Sequence, residues 1–273
     1  MGRFSDEILD HLFDAVLVND VVRENSESPP PVPPILYAGC VRDCFDLCHE
    51  LWSRQVRRED MVRLADQLIL TARLDAKAAL DYKYIRAKFK HLRFAFMLYT
   101  TAHRSPRLFK HLTIAMGHLQ DGFRNGSRFR TRFYALQVRI MTSRPVWALM
   151  LWQVRRLRLV DEKSFERYVR SQISSISASI TKTEVTGHEY HTLRKMISQN
   201  ISFLDTYRSL VPNADVDRIS GYLSDINGRM GRHHDELVLR DIQGEQNYNK
   251  EKFPLDGELV DKIRNVVTAY RNF

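Results

Sequence analysis

Four basic residues recur at helical spacing near the middle of the chain. Lys83, Arg86, Lys90 and Arg93 are separated by 3, 4 and 3 positions, so on an α-helix with 100° per residue they share one face. Like charges at this spacing repel by roughly 0.2–0.5 kcal/mol per pair, and a multivalent anion along the helix would remove that cost. Arginine is a planar bidentate donor and lysine a mobile point charge, and both suit phosphate. The spacing therefore predicts an anion-binding face.

A second stripe on the same segment is apolar and predicts the packing face of the helix. Its members recur at spacings of 4, 3, 4 and 3, about 110° around the helix from the cations. They are Ile85, Phe89, Leu92, Phe96 and Tyr99. We expect these side chains to pack against neighbouring helices while the cations remain available to a ligand.

The charge of the chain is segregated around this helix. Residues 83–170 contain 20 Lys and Arg but 4 Asp and Glu, a local net charge of +16, whereas the whole chain is +9 and the remainder is therefore −7. Between Tyr84 and Val160 the sole carboxylate is Asp121, so local i,i+4 ion pairs cannot neutralise the block. Segregated charge creates a field, which favours a polyanionic partner; a solvated basic face without a ligand is the alternative.

Two further groups of cations follow this helix and are predicted to contribute to the same anion-binding surface. The first group comes soon after it, and the second crowds a turn around Asn125-Gly126. The first comprises Arg104, Arg107 and Lys110, and the second Arg128, Arg130 and Arg132. Cations in loops are also commonly solvated, so that alternative stays open for both groups.

Aromatic residues interleave with the arginines of the basic block. They are Phe129, Phe133, Tyr134, Trp147 and Trp152. Proteins that bind single-stranded nucleic acids use such mixtures for base stacking. In a helical chain, aromatic residues at these spacings belong more often to the core, and we predict core positions. Because no nucleic-acid-binding motif is present, an RNA-binding function rests on charge.

Residue patterns for catalysis or metal binding are weak. The sequence contains no Gly-rich phosphate loop, nucleophile elbow or His-Glu-x-x-His motif, so we predict that the protein is not an enzyme and needs no cofactor. Cys40, Cys44 and Cys48 are four residues apart, as buried small residues on one helix face would be. The histidines at 188, 191, 233 and 234 lack accompanying acidic or cysteine ligands. We therefore predict no metal site.

The elements that position these residues are predicted to be helices throughout. Long segments without glycine or proline are typical of helices, and no segment shows the period-two alternation of strands. Helices are predicted over about 5–24, 35–54, 59–102 and 256–271. A break within 59–102 stays open as an alternative. Five of the 9 prolines fall within 28–34 and predict a tether after the first helix.

The basic helix and its sequel occur twice in the sequence. In the first copy the segment Lys83-Tyr-Ile-Arg86 precedes Met116-Gly117-His-Leu-Gln-Asp121, and in the second His191-Thr-Leu-Arg194-Lys195 precedes Met230-Gly231-Arg-His-His-Asp235. Duplication of this kind predicts two related helical bundles. The predicted organisation is an N-terminal helix and tether over 1–34, repeats over 35–144 and 145–242, and a C-terminal linker and helix over 243–273.

This duplicated pattern resembles the conserved-histidine α-helical domain (CHAD) family, over about 35–242. In that family each half carries a His-x-Leu-Arg helix with further cations and a later Leu-Gly-x-x-x-Asp helix. The resemblance implies two pseudo-symmetric helical bundles that bind inorganic polyphosphate in a basic groove between them. It adds His191, Arg194 and Lys195 to the predicted anion-binding residues.

The chain departs from the family pattern in ways that weaken the second copy. Lys83 stands where the family has its first histidine, and Met116 and Met230 replace leucine. After Lys195, the expected cations are replaced by Ser198, Gln199 and Ile201. If the resemblance holds, the anion site is concentrated in the first copy.

A second resemblance covers residues 72–126. Leu92-Arg93-Phe94 and Met116-Gly117-His118 are similar to the basic four-helix accessory proteins of diversity-generating retroelements, which work with a reverse transcriptase and its RNA. This resemblance leaves the second copy unexplained, so RNA is the second predicted partner after polyphosphate.

A basic adaptor that docks an acidic protein is a third functional class that the charge allows. The sequence shows no membrane span. Its first residues include Arg3, Asp6, Glu7 and Asp10, unlike a signal peptide, so we expect a cytoplasmic protein.

Overall fold

The computed structural model describes residues 2–22 and 38–271, and within them the protein is all-α. Eleven helices account for 77% helical content, which confirms the predicted class. The helices are α1 (Asp6–Leu17), α2 (Cys40–Gln55), α3 (Arg58–Thr71), α4 (Ala76–Tyr99), α5 (Arg107–Arg124), α6 (Arg128–Met141), α7 (Arg144–Arg155), α8 (Glu162–Ile180), α9 (Gly187–Leu210), α10 (Ala214–Gln243) and α11 (Gly257–Arg271). No helix of this described part is long and apolar enough to cross a bilayer.

The prediction that strands are absent is wrong in one small place. β1 (Glu184–Thr186) and β2 (Lys252–Pro254) form an antiparallel pair in which Val185 faces Phe253. Each strand has three residues, too few to show alternation, and their partners are far apart in sequence.

Helix boundaries follow capping chemistry. The predicted helix over 59–102 is two helices, because the Asp75 side chain accepts a hydrogen bond from the Ala78 amide and starts α4. Ala72 ends α3 in the left-handed conformation with φ of 55°. Thr186 and Glu189 form a reciprocal capping box at the start of α9.

The terminal elements match the predictions in part. α1 ends at Leu17 rather than near residue 24, and the proline run lies outside the described residues. α2 begins at Cys40, and the first predicted residues of that helix, 35–37, are also outside them. α11 confirms the predicted C-terminal helix.

The chain divides into two compact units. The first comprises Met1–Leu9 and Val41–Val160, and the second Asp10–Cys40 and Asp161–Phe273, each in its described part. In the first unit, an aromatic cluster fills the core next to α4. Phe109 of α5 lies 5.0 Å from Phe89 and 4.9 Å from Phe96, and Trp52 of α2 lies 5.5 Å from Phe89, between ring centroids. The apolar stripe predicted for α4 is therefore its packing face, as all its members are buried.

Cys44 and Cys48 belong to this packed interior, and Cys40 is assigned to the second unit. Cys40, Cys44 and Cys48 are reduced and buried, as predicted for small apolar residues. The Cys48 Sγ lies 3.3 Å from Nε2 of His91, which is also buried.

The second unit packs α8, α10 and α11 around α9. Phe165 of α8 meets Phe203 of α9 edge to face with centroids 5.0 Å apart. Every residue of α9 from Ile197 to Tyr207 is buried. A buried carboxylate, Asp205, accepts hydrogen bonds from Ser220 and Arg208 through Oδ1, whereas its Oδ2 is buried without a hydrogen-bond partner.

Candidate anion-binding surfaces

In the second half of α4 the accessible residues follow the line of its cations. From Phe89 to Tyr99 every residue of α4 is buried except Lys90, Arg93 and Met97. Earlier in the helix, Lys83 is exposed and Arg86 half-buried on the same line. The structure thus places the four predicted cations together along one face, with the apolar stripe packed behind them.

These arginines lack acidic partners. Among the described residues, no carboxylate lies within ion-pair distance of Arg86 or Arg93, and the buried Nε of Arg86 has no hydrogen-bond partner. Burial, reinforced by the charge of Arg86, lowers the pKa of Arg93 from its usual value. A guanidinium that is partly desolvated and unpaired interacts more strongly with an anion than one in bulk water.

Arg86 rests against a glycine of the next helix. A Cβ built on Gly117 of α5 would lie 3.3 Å from Nη2 of Arg86. One turn earlier on α4, the Tyr82 hydroxyl donates to the carbonyl of Met116 at 2.9 Å. The Met-Gly pair of the sequence motif therefore contacts α4, with Gly117 against the Arg86 side chain and Met116 accepting the hydrogen bond of Tyr82. The sequence pattern alone did not predict this role.

The loop cations are solvent-exposed, and their structural settings differ. Arg104 precedes α5, and Arg107 and Lys110 lie in its first turn, where the helix dipole adds positive potential. The described residues offer no carboxylate partner to any of the three. They are available to an anion, and equally to solvent.

The arginines at the start of α6 are also exposed. Arg128 and Arg130 have no ion pair with any described residue, and Arg132 donates to the carbonyl of Leu70 at 3.2 Å. In contrast, Arg139 on the same helix is ion-paired with Asp66 at 2.8 Å. The second group is therefore exposed, and its contribution to the anion-binding surface stays a prediction.

In the second unit, Arg194 repeats the setting of Arg86. A Cβ on Gly231 of α10 would lie 2.7 Å from Nη2 of Arg194, so α9 and α10 make the same arginine-on-glycine contact as α4 and α5. Arg194 differs in having a partner, because its Nε donates to Oδ1 of Asn227 at 3.3 Å. The Ser198 hydroxyl donates to that same oxygen.

His191 and His234 lie beside Arg194 with ring centroids 4.7 Å apart. Each has a buried Nδ1 without a hydrogen-bond partner. Burial, followed by the charges of Lys195, His234 and Arg194, lowers the pKa of His191 to about 3. At neutral pH His191 can therefore offer a hydrogen bond to an anion but no charge.

Beyond Lys195, the face of α9 that corresponds to the cation line of α4 is buried. Ser198 and Ile201, at the positions of Lys90 and Arg93 in the first copy, are buried, as is Gln199. Asp121 is exposed and has no ion pair with a described residue, whereas Asp235 lies 3.5 Å from Nδ1 of His234. The second unit brings His191, Arg194 and Lys195 together on a shorter surface.

The prediction of core positions for the aromatic residues is wrong for three of them. Phe129, Phe133 and Trp152 are exposed, and Arg156 stacks over the Trp152 ring at 4.0 Å. Trp147 does join the core, stacked on Trp52 at 5.9 Å. Smaller side chains take the buried positions of α6, namely Thr131, Ala135 and Val138.

Comparison with protein-family models, with curated proteins and with solved structures finds no match to this chain.

Proposed function

We propose that this protein is a non-catalytic polyanion-binding protein whose first ligand is inorganic polyphosphate. The observation that carries the proposal is the open line of α4. Over residues 89–99 the helix is buried except for Lys90, Arg93 and Met97, and Lys83 and Arg86 continue the same accessible line. Arg86 and Arg93 lack a carboxylate partner among the described residues. Burying cations this far without acidic partners costs free energy, which a bound anion offsets.

A linear phosphate chain suits this line. Cations three or four positions apart on a helix follow one another at about 5 Å, one helical turn. Arg86 is held against Gly117 and Arg93 is half-buried, so little side-chain entropy is lost when a ligand binds. Polyphosphate places a negative charge on every phosphate and has no sugars or bases that must be accommodated beside the helix.

The finer architecture in this proposal is a duplicated helical bundle with an appended N-terminal helix, as the CHAD resemblance implies. Support comes from the paired contacts of Arg86 with Gly117 and of Arg194 with Gly231, which relate α4 and α5 to α9 and α10. α4 and α9 also have the same length of 24 residues. In this proposal the first copy supplies most of the affinity and the second copy His191, Arg194 and Lys195.

RNA is the second candidate ligand, and exposed aromatic residues favour it. The Phe129 and Phe133 rings stack with centroids 6.4 Å apart and an interplanar angle of 13°, beside Arg128, Arg130 and Arg132. Exposed aromatic rings among arginines provide the surface on which single-stranded bases stack. This observation fits the accessory-protein resemblance.

A competition experiment tests the two ligands. Labelled polyphosphate is bound to the full chain and displaced with unlabelled polyphosphate or with a single-stranded RNA of equal charge. The double variant Arg86→Gln/Arg93→Gln should weaken polyphosphate binding at least tenfold. The matched control is Arg218→Gln/Arg264→Gln, which removes the same charge from exposed arginines already ion-paired with Asp215 and Asp261.

The outcomes separate the candidates. Equal losses in the variant and its control would mean that net charge alone drives binding, and the α4 site would be wrong. If RNA displaces polyphosphate and Phe129→Ala/Phe133→Ala abolishes RNA binding, RNA is the ligand. The milder variant Lys83→Gln, at an exposed position, repeats the test should the arginine variant fold poorly, as judged by circular dichroism.

A further inference from the structure

The solvent side of α6 carries a stripe of large apolar residues. Phe129, Phe133, Leu136 and Ile140 are 81%, 49%, 51% and 56% exposed. Their spacings of 4, 3 and 4 are those of a helix seam, and at 100° per residue all four lie within about 60°. Contiguous exposed apolar surface on one element marks an interaction site more often than scattered exposed residues do.

This stripe lies opposite the face by which α6 packs into its unit. The buried residues Thr131, Ala135 and Val138 are centred about 160° around the helix from the stripe. A surface helix ordinarily carries polar residues there. α6 therefore has two apolar faces, and the one with the larger side chains is uncovered.

The borders of the stripe are positively charged. Arg128 and Arg132 lie on one side and Arg130 on the other, and all three are exposed. None has a carboxylate partner in the described part of the chain, and α6 itself contains no Asp or Glu. An occupant of the stripe would meet arginine on both flanks.

We propose that α6 is the docking site for an amphipathic helix of another protein, with an apolar seam flanked by Asp or Glu. Residues 129, 133, 136 and 140 repeat the i, i+4, i+7 and i+11 positions at which one helix packs on another. The acidic flanks follow from charge complementarity to Arg128, Arg130 and Arg132. This site does not depend on polyphosphate binding by α4.

Other occupants fit the surface less well. A second copy of this chain docked through the same stripe would bring its own arginines against these, and like charges across an interface are unfavourable. Leu136 and Ile140 have no aromatic face for a nucleobase. An anionic bilayer favours a wider apolar face than a stripe of about 60°.

The test uses a designed peptide of three heptads with Leu at positions a and d and Glu at e and g. Its fluorescence anisotropy is titrated with the full chain, and a peptide with Lys replacing Glu is the charge control. The acidic peptide should bind and the Lys peptide should not. Phe133→Ser/Leu136→Ser should weaken binding at least tenfold, whereas Leu80→Ser/Leu239→Ser, which alters comparably exposed apolar residues on α4 and α10, should leave it unchanged.

Arg128→Gln/Arg132→Gln should also weaken the binding and reduce its salt dependence. The Phe133→Ser/Leu136→Ser and Leu80→Ser/Leu239→Ser variants should keep wild-type circular dichroism and polyphosphate affinity, which separates this site from the proposed function. The arginine variant is compared by peptide binding and circular dichroism. The inference is overturned if the acidic peptide does not bind, if both peptides bind equally, or if the control variant loses as much affinity. It is also overturned if Phe133→Ser/Leu136→Ser instead abolishes self-association in sedimentation or binding to phosphatidylserine vesicles while peptide binding is unchanged.

Discussion

At the residue scale, the arginine-on-glycine contacts show how a cation is fixed without an acidic partner. Arg86 lies against Gly117 and Arg194 against Gly231, so the neighbouring helix supports each guanidinium where a side chain would displace it. Packing holds the Arg86 guanidinium in place while its Nε stays unpaired, whereas Arg194 also donates to Asn227. Such preorganisation favours phosphate binding, because little side-chain entropy is lost when the ligand binds.

Alanine at the two glycines should have opposite effects on stability. Gly117→Ala should gain roughly 0.5–1 kcal/mol from helix propensity, because Arg86 must move by only a few tenths of an ångström. Gly231→Ala would place its Cβ 2.7 Å from Arg194, which Asn227 also holds. Loss of this hydrogen bond to a charged group, roughly 1.5–3 kcal/mol, should exceed the same propensity gain, so we expect a net destabilisation of about 1 kcal/mol. Urea unfolding measures the change in the free energy of unfolding for each variant. If both substitutions stabilise the protein, Arg194 is not held in place by Asn227.

A buried histidine should make stability fall with acid. Burial, together with the charge of Lys90, lowers the pKa of His91 to about 3. The unfolded chain, with a histidine pKa near 6.5, therefore takes up a proton between pH 6.5 and about 3 that the folded chain does not, so stability decreases as pH falls through this window. His191 acts in the same direction, whereas Asp205, whose pKa burial raises to about 6, acts in the opposite one.

The variant His91→Gln isolates one of these contributions. Wild type should lose more stability than the variant between pH 7 and pH 5, with a difference of up to roughly 1 kcal/mol per pH unit. Urea unfolding at the two pH values measures it. Parallel losses in both proteins would contradict the neutral, buried state of His91.

At the element scale, α4 and α9 differ in the residues that they leave accessible, and this difference supports the asymmetric site of the proposed function. The two helices have equal length and the same arginine contact, but the line that is open on α4 is closed on α9 by burial of Ser198 and Ile201. The positions that Lys90 and Arg93 occupy on α4 are thus taken on α9 by buried residues, which leaves no cation there for a ligand.

Much of α4 could be predicted from its sequence, and much of α6 could not. The stripe of α4 is predictable because apolar and basic residues occupy separate faces. In α6 the largest apolar residues suggest the core, yet Thr131, Ala135 and Val138 are buried in their place. Which of two apolar faces is covered depends on the neighbouring helices α3 and α5 and leaves no local signal in the sequence.

A local boundary signal was present where the helix predicted over 59–102 was too long, because Asp75 before Ala76 is a preferred N-cap. Thr186 with Glu189 is likewise a capping box that can be recognised in the sequence. In contrast, the pairing of β1 with β2 joins segments about 70 residues apart and depends on tertiary packing. Capping can therefore be read from sequence, whereas this short strand pair cannot.

Reversing one charge in the cation line of α4 should stabilise the free protein and weaken polyphosphate binding. Lys83→Glu replaces repulsion with attraction towards Arg86 one turn away, which should stabilise the free protein by about 0.5 kcal/mol. The same change should reduce the rise in melting temperature that polyphosphate produces, because the ligand loses one contact and meets a negative charge. Differential scanning fluorimetry with and without polyphosphate measures both effects, and Lys83→Gln should lie between. If polyphosphate raises the melting temperature of Lys83→Glu as much as that of wild type, Lys83 does not contact the ligand.

At the scale of the whole molecule, charge segregation separates two kinds of cation. Arginines outside the basic block, such as Arg218 and Arg264, are already ion-paired with nearby carboxylates. Most cations of the block have no such partner among the described residues, and Arg139 with Asp66 is an exception. Only unpaired cations can exchange a condensed counterion on the ligand for a direct contact, so net charge is a poor guide to affinity.

This difference predicts the salt dependence of binding. If six cations contact the polyanion, the single-strand slope of roughly −0.7 per contact reduces the affinity by about two to three orders of magnitude between 50 and 200 mM salt. Removing Arg86 and Arg93 as contacts should make the slope shallower by roughly 1.4, again at about 0.7 per contact. Arg218→Gln/Arg264→Gln should leave the slope unchanged, because those arginines contact carboxylates of their own chain and release no counterions. Polyphosphate titrations of the three proteins across this salt range measure the slopes, and equal slopes in both double variants would mean that the ligand responds to the overall field rather than to the line on α4.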